Sequence, residues 1–400
     1  MSHSYSTDIV IFGGGIGGLW LLNRLRNEGY QALLVETSAL GSHQTIASQG
    51  IIHGGLKYAL SGVLTGAANV TAKMPARWRD CINGQGEVDL QGVEILSEHY
   101  YMWSQASFRS KLKTFFGSKS LQGRVEAVPS EHYPAAFTTA NVNGSLYRLP
   151  DFVINTSSLL RKLVSNYSEH IVQIDSANVE FDFSADGNAE AVHISHGTAR
   201  ATVSASRFVF AAGKGNEELI KTAGLTTAKT QRRPLKMVYV KKADLPPMYV
   251  HCIGENFSLT PVLTVTTHKS EQDGNTWYLG GELAENGVGL DNETQIANAK
   301  ELLARQFPWI DTDGQWGILD VDRAEANINN NYRPDDAWFC SEHNVLAAWP
   351  TKLTLAPSLA DKVVDYLQAE NVAKSNARPD SLSALGFTLP TIATPQWEKP

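Results

Sequence analysis

A chain of 400 residues has room for two domains or one large composite one, and an apolar fraction of 42% is ordinary for a polypeptide that buries a core. The net charge of −7 argues against nucleic-acid binding through bulk charge, although it leaves room for a local basic pocket. Three widely spaced cysteines (Cys81, Cys252, Cys340) with no C-x-x-C pair speak against a disulfide framework or a zinc ribbon and read as reduced thiols in a cytoplasmic protein.

The chain opens on the stretch that organises it. Residues 8–12 form an apolar run of strand type, and Gly13, Gly15 and Gly18 then spell G-x-G-x-x-G. A helix is predicted over 19–28 and a second apolar strand over 31–35, ended by Glu36. Gly13 permits the tight turn out of the strand. Gly15 lets the backbone approach a pyrophosphate, and Gly18 lets the helix pack close on the sheet. The free N–H groups and positive dipole end of the helix face the phosphates. Glu36 stands at the distance where an acid accepts from ribose hydroxyls. Thr37 and Ser38 follow it in place of an arginine, which argues against a 2′-phosphate and so against NADP. The first apolar run has no basic region before it and is broken by glycines, and no other run reaches membrane-spanning length. Neither a signal peptide nor a transmembrane segment is expected, while contact with the periphery of a membrane stays open.

Residues 56–95 read as mainly helical, with Trp78 in an apolar setting, and 92–127 alternate in strand fashion with turns around 111–120. A helix is predicted over 156–167, with Asn155 and Thr156 as N-cap candidates. Short strands follow at 171–174, 178–183 and 191–195. A buried-type strand over 207–211 then ends in Ala212 and Gly213, small enough for a ligand to approach the backbone. Further strands are predicted over 235–240, 259–267 and 276–279, a helix over 292–306, a strand over 345–348, a loop over 350–354 and a last helix over 356–368. The tail from Ala373, with four prolines and no periodicity, is expected to be loosely ordered. The expected fold class is α/β, an α+β composite: a Rossmann-like nucleotide domain in three pieces (1–92, 147–230, 323–372), interleaved with a mixed-sheet substrate domain (93–146, 231–322) and followed by a tail (373–400).

The segment Ala47-Ser48-Gln49-Gly50-Ile51-Ile52-His53-Gly54-Gly55-Leu56-Lys57-Tyr58 resembles the flavin-contacting segment of the D-amino-acid-oxidase superfamily, nearest to FAD-dependent glycerol-3-phosphate dehydrogenases and L-2-hydroxyglutarate oxidases. The glycine fingerprint, the RFVFAAG strand and the TKLTLAP loop fit the same family in order and spacing. The likeness is good over the nucleotide domain and poor over 95–145 and 226–320. It implies FAD in place of NAD, and the chain agrees: inserts intervene where a second β-α-β half of an NAD domain would follow.

The resemblance also implies roles. Ser48, Gln49 and Gly50 would meet the cofactor, Val179 would present its backbone to the adenine, and Ala212 and Gly213 would lie along it. Lys352, Leu353 and Thr354 would touch the flavin pyrimidine ring. A cation there, with helix-end N–H groups, stabilises negative charge on the reduced ring. His53 would stand beside the isoalloxazine as base, substrate ligand or covalent anchor, with a packing histidine as the alternative. Arg323, Arg333 and Lys57 would bind the anionic end of a substrate. For the arginines the alternative is an ion pair with Asp320, Asp322, Asp335 or Asp336. The A-G-x-R-P spelling of the relatives is absent here. The histidines show no metal-ligand spacing, so no metal is expected.

The activity so implied is an FAD-dependent dehydrogenase or oxidase. It moves a hydride from a CH–OH or CH–NH carbon of a small anionic substrate to flavin N5, with FAD held non-covalently or through His53. The electron acceptor (oxygen, a quinone or an electron-transfer protein) is left open. An FAD enzyme modifying tRNA or another macromolecule is a second reading, opposed by the acidic balance. A non-catalytic dinucleotide-binding module is a third. An aromatic hydroxylase fits less well, because Pro350-Thr351-Lys352 stands where a G-D pair belongs.

Overall fold

The computed structural model describes residues 3–55, 66–105, 125–138, 142–254, 260–270, 274–328, 334–375 and 382–399, the side chains of 66–69 excepted. Lys57, Tyr58 and Arg333 lie outside the described residues.

Strand β1 (His3–Phe12), helix α1 (Ile16–Asn27) and strand β2 (Ala32–Glu36) form the opening unit. β1 pairs in parallel with β2 on one side and with Ala199–Phe210 on the other. Its unbroken apolar run suits that central place, since Ile9, Val10 and Ile11 are fully buried between two covered faces. The strand begins five residues before the apolar run, because His3–Thr7 pair with 201–205. Both partners of that extension mix small and polar residues, so periodicity alone does not mark either. The sheet runs Glu180–Phe183, Ala189–His196, Ala199–Phe210, β1, β2, Ile171–Gln173, and Val345–Trp349 joins alongside Ala199–Phe210 with Trp338–Glu342 beyond it. One face is covered by α1, Thr156–Asn166 and Ala356–Ala369, and the Trp20 ring lies 4.6 Å from that of Trp78 on the helix Gly66–Ile82.

A second eight-stranded sheet runs Gln315–Ala326, Thr230–Lys242, Gly274–Gly280, Leu263–Ser270, Val250–Cys252, Tyr100–Gln105, Gly144–Leu149, Glu126–Ala127. Its core gathers Trp103, Phe137, Trp277 and Phe307. The strand Thr230–Lys242 starts earlier than expected and contains Pro234. Gly274–Gly280 pairs with it only from Val238 onward, so at Pro234 it has a partner on one side only, where a missing N–H is tolerated. A small third sheet joins Ile51–Ile52, Phe152–Ile154 and Ile95–Ser97 beside the first.

The described part of the tail is packed, contrary to expectation. Leu40 donates to Thr391 O at 2.7 Å and accepts from Ala393 N at 2.9 Å. Trp397 is buried, its ring 4.9 Å from each of Tyr278 and His268. One indole among many prolines anchors a segment that has no periodicity.

Candidate active site

The glycine turn is built by close approach. Gly13 has φ +106°, and a Cβ there would stand 2.4 Å from Ala212 Cα. A Cβ on Gly18 would stand 1.9 Å from the Gly13 carbonyl oxygen, so only glycine lets α1 start this near the sheet. Gly15 differs: the one described atom within 4 Å of an added Cβ is Thr45 Oγ1 at 3.2 Å, and the position otherwise opens onto a cleft. The Ile16 N–H donates to Thr45 Oγ1 at 3.0 Å, which takes one of the free donors of the first turn.

This first cleft, of about 260 Å³, is bounded by Gly13, Gly15, Glu36, Ser48, Ala212, Gly213, Lys352 and Leu353, all expected cofactor contacts, and by His43, Gln44, Lys214 and Thr351. Glu36 accepts from the N–H groups of Gly14 (2.6 Å), Thr37 (2.7 Å) and Ser38 (2.9 Å), so the glycine turn and the acid brace one another at the cleft wall. His43 (φ 61°) and Thr351 (φ 65°) hold left-handed backbone conformations in the wall, and Thr351 Oγ1 donates to Asp336 O at 2.9 Å. Such conformations cost energy and collect at ligand clamps. Burial, with Lys214 nearby, holds the His43 imidazole below its usual pKa.

Four residues expected at the cofactor line neither this cleft nor the one beside it, and Gly18, set against the Gly13 carbonyl, is the first. Val179 packs against the far side of the first sheet. Gly50 (φ +70°) would set a Cβ 2.1 Å from Ile154 O, so it permits the pairing of Ile51–Ile52 with Phe152–Ile154. Thr354 is fully buried; its hydroxyl donates to His53 O at 3.5 Å and its carbonyl accepts from Trp78 Nε1 at 3.0 Å.

A second cleft, of about 320 Å³, shares Gln44, Ser48, Thr351 and Lys352 with the first. Around it stand Gln49, His53, His251, Glu285, Arg323 and Glu325. The Gln49 amide donates to Tyr278 O at 2.9 Å, which ties the flavin-type segment to the second sheet. His53 Nδ1 lies 3.1 Å from Asp151 Oδ2, and Asp151 Oδ1 accepts from Gly54 N at 2.8 Å. The His251 ring is within 8° of parallel to that of His53, with centroids 6.0 Å apart, and its Nδ1 lies 3.1 Å from Thr264 Oγ1. Burial, and then His53 beside it, push the His251 imidazole down to about 3, so it stands neutral. Arg323 donates from Nε to Arg233 O at 3.2 Å and sets Nη2 3.5 Å from Glu285, an ion pair with a partner other than the aspartates considered from sequence. Arg233 in turn reaches the buried Glu325 at 3.4 Å.

Folding brings His53, Lys352 and Arg323 together around the second cleft. Thr45, Asp151, His251, Glu285 and Glu325 are additions that the sequence reading missed. Asp151 did carry a signal, an acid set directly before the apolar Phe152-Val153-Ile154. The ligand atoms of His53, Asp151 and His251 lie within 4.8 Å of one another, close enough to meet one ion. Each Asp151 oxygen holds one contact within this cluster, one to Gly54 N and one to His53 Nδ1.

Residues 8–349 match the family model described as DAO, FAD dependent oxidoreductase. The chain is 43% identical over 401 residues to the probable FAD-dependent oxidoreductase PA4991 of Pseudomonas aeruginosa, covering 100% of this chain and 99% of that one. The crystal structure of PA4991 superposes with a TM-score of 0.85 at 38% identity, over 100% of this chain and 99% of the other. The fold is also that of L-alpha-glycerophosphate oxidase from Mycoplasma pneumoniae with FAD bound (TM-score 0.65, 15% identity, 91% and 95% covered) and of glycine oxidase from Geobacillus kaustophilus (TM-score 0.64, 14% identity, 94% and 100% covered).

FAD suits the residues present. The first cleft opens over Gly15 at a helix N-terminus, with Lys214 and Lys352 in its wall and an acid at the end of β2. Among the described residues no helix is long and apolar enough to cross a membrane. The chain belongs to the DAO family of FAD-dependent oxidoreductases.

Proposed function

We propose that the enzyme oxidises a CH–OH or CH–NH carbon of a small anionic substrate held in the second cleft, at its junction with the first. The observation that carries this reading is the sharing of Ser48, Gln44, Thr351 and Lys352 between the two clefts, with His53 and Arg323 on the substrate side of that junction. When bound, FAD supplies the two-electron acceptor, taking a hydride at N5.

The chain's own groups do the rest. Arg323 orients the anionic end, since its planar fork matches a carboxylate or phosphate. That anion displaces or joins Glu285, which already faces the same guanidinium. His53 takes the proton of the reacting hydroxyl or amine. Lys352, at the start of the turn Leu353–Leu355, sets a cation where negative charge develops on the reduced cofactor. Lys57 and Arg333 would add further cations to the anion site. The test is an anaerobic screen of hydroxy acids, amino acids and glycerol phosphate for bleaching of the visible flavin bands. One class should bleach them, and bleaching by dithionite alone would reject the reading.

A further inference from the structure

We propose that Asp151 is a positioning residue for catalysis: it holds His53 in the tautomer with its proton on Nδ1, so that Nε2 is the atom that receives the substrate's proton. This rests on the reading of the second cleft as the substrate site.

Asp151 is 3% exposed, and two bonds fix its carboxylate: one oxygen takes the Gly54 N–H at 2.8 Å and the other faces His53 Nδ1 at 3.1 Å. Gly54 makes that approach possible. A Cβ there would stand 2.7 Å from Pro150 Cγ and 3.1 Å from Asp151 Oδ1. A carboxylate only accepts hydrogen bonds, so in the neutral imidazole the proton between the pair sits on Nδ1 and the lone pair is left on Nε2. The other end of the histidine is held as well, because Thr354 Oγ1 donates to its carbonyl at 3.5 Å. His251 stands beside the ring, itself packed 4.5 Å from the Tyr100 ring and bonded to Thr264. The His53 residue therefore has its backbone carbonyl, one ring nitrogen and a neighbouring plane all set, and it lines the second cleft.

In the step, the substrate X–H bond breaks and its proton goes to Nε2. The C–H bond breaks with its electron pair leaving as hydride for the FAD, and C=X forms. The imidazolium so produced is offset by the Asp151 carboxylate at Nδ1. His251 adds no opposing charge.

The test is nitrogen-15 NMR of histidine-labelled holoenzyme, which reads the tautomer of His53 directly, together with steady-state kinetics. In the native protein Nδ1 should carry the proton. In Asp151→Asn the carbonyl keeps the Gly54 N–H and the amide presents a donor to Nδ1, so the proton should move to Nε2. With that change kcat should fall about 10³–10⁴-fold, KM should shift only a few-fold, and FAD content should hold. Asp151→Glu should recover part of kcat. A native His53 protonated on Nε2 would overturn the proposal, a readout that needs no variant to fold. So would an Asp151→Asn protein whose tautomer flips while kcat stands. Failure of every substrate to bleach the native flavin is a separate result: it removes the proposed function and leaves the tautomer measurement to decide the role of Asp151.

Discussion

The backbone N–H of Ile16 donates to Thr45 Oγ1 at 3.0 Å, and that same oxygen is the only described atom near a side chain added at Gly15. The first turn of α1 is thus part capped by protein and part left open toward the cleft. Gly15→Leu should place its side chain in that opening. We expect a folded protein with unchanged far-ultraviolet circular dichroism and no flavin absorbance. Thr45→Val should keep the opening but lose the cap, at a cost of roughly 1 kcal/mol in stability. Retained FAD in Gly15→Leu would show that the pyrophosphate lies elsewhere.

Arg323 is expected to act in binding more than in chemistry. Arg323→Leu removes a charged hydrogen-bond donor and should raise KM by roughly tenfold to a hundredfold, with a smaller change in kcat. Steady-state kinetics with the substrate found by bleaching reads this out. An unchanged KM would assign the guanidinium to its structural contacts, Glu285 and the Arg233 carbonyl among them.

Lys352→Met should leave FAD bound yet harder to reduce. Loss of a preorganised cation beside developing charge should slow flavin reduction roughly a hundredfold and lower the midpoint potential. Stopped-flow reduction and a redox titration measure the two effects. Identical potentials would place the ammonium group out of reach of the ring.

Acid stability has a readable contributor far from the cleft. Burial raises the Glu342 pKa, but hydrogen bonds from Thr227 and Thr226, through both N–H groups (2.8 and 2.9 Å) and both hydroxyls (2.7 and 3.0 Å), outweigh it and hold the carboxyl down to about 2. A folded pKa below the unfolded one gives stability that is fully present above about 4.5 and lost as the pH falls toward 2. Glu342→Gln should flatten the melting temperature across that window relative to the native protein. A native profile with the same flatness would contradict it.

Since the proposed proton transfer needs His53 Nε2 unbonded, the cofactor is expected to be held without a covalent bond. Acid precipitation should leave the yellow colour in the supernatant. Colour in the pellet would point to a link through Nε2.

The opening unit was legible because local chemistry dictates it. Gly13 and Gly18 answer to contacts within the turn or with Ala212, and an apolar run marks a strand covered on both faces. The Asn155 cap was equally plain, its side chain accepting from Ser158 N at 3.0 Å. What escaped was long-range. Asp151 meets His53 only because Phe152–Ile154 pairs with Ile51–Ile52, and Thr264 and His251 arrive from the second sheet. Val179, expected at the adenine by likeness, packs on the core of the first sheet and lines neither cleft. Trp397 closes on Tyr278 and His268, residues far from it in sequence, a pairing with no periodic trace.

The flavin ring is expected where the two clefts meet, so the most direct test is a crystal structure of the protein with FAD bound. The pyrophosphate should lie over Gly15, the pyrimidine edge at Lys352 and the reactive edge toward His53. Density for the ring in the neighbouring cavity lined by His268, Arg161 and Trp397 would contradict it.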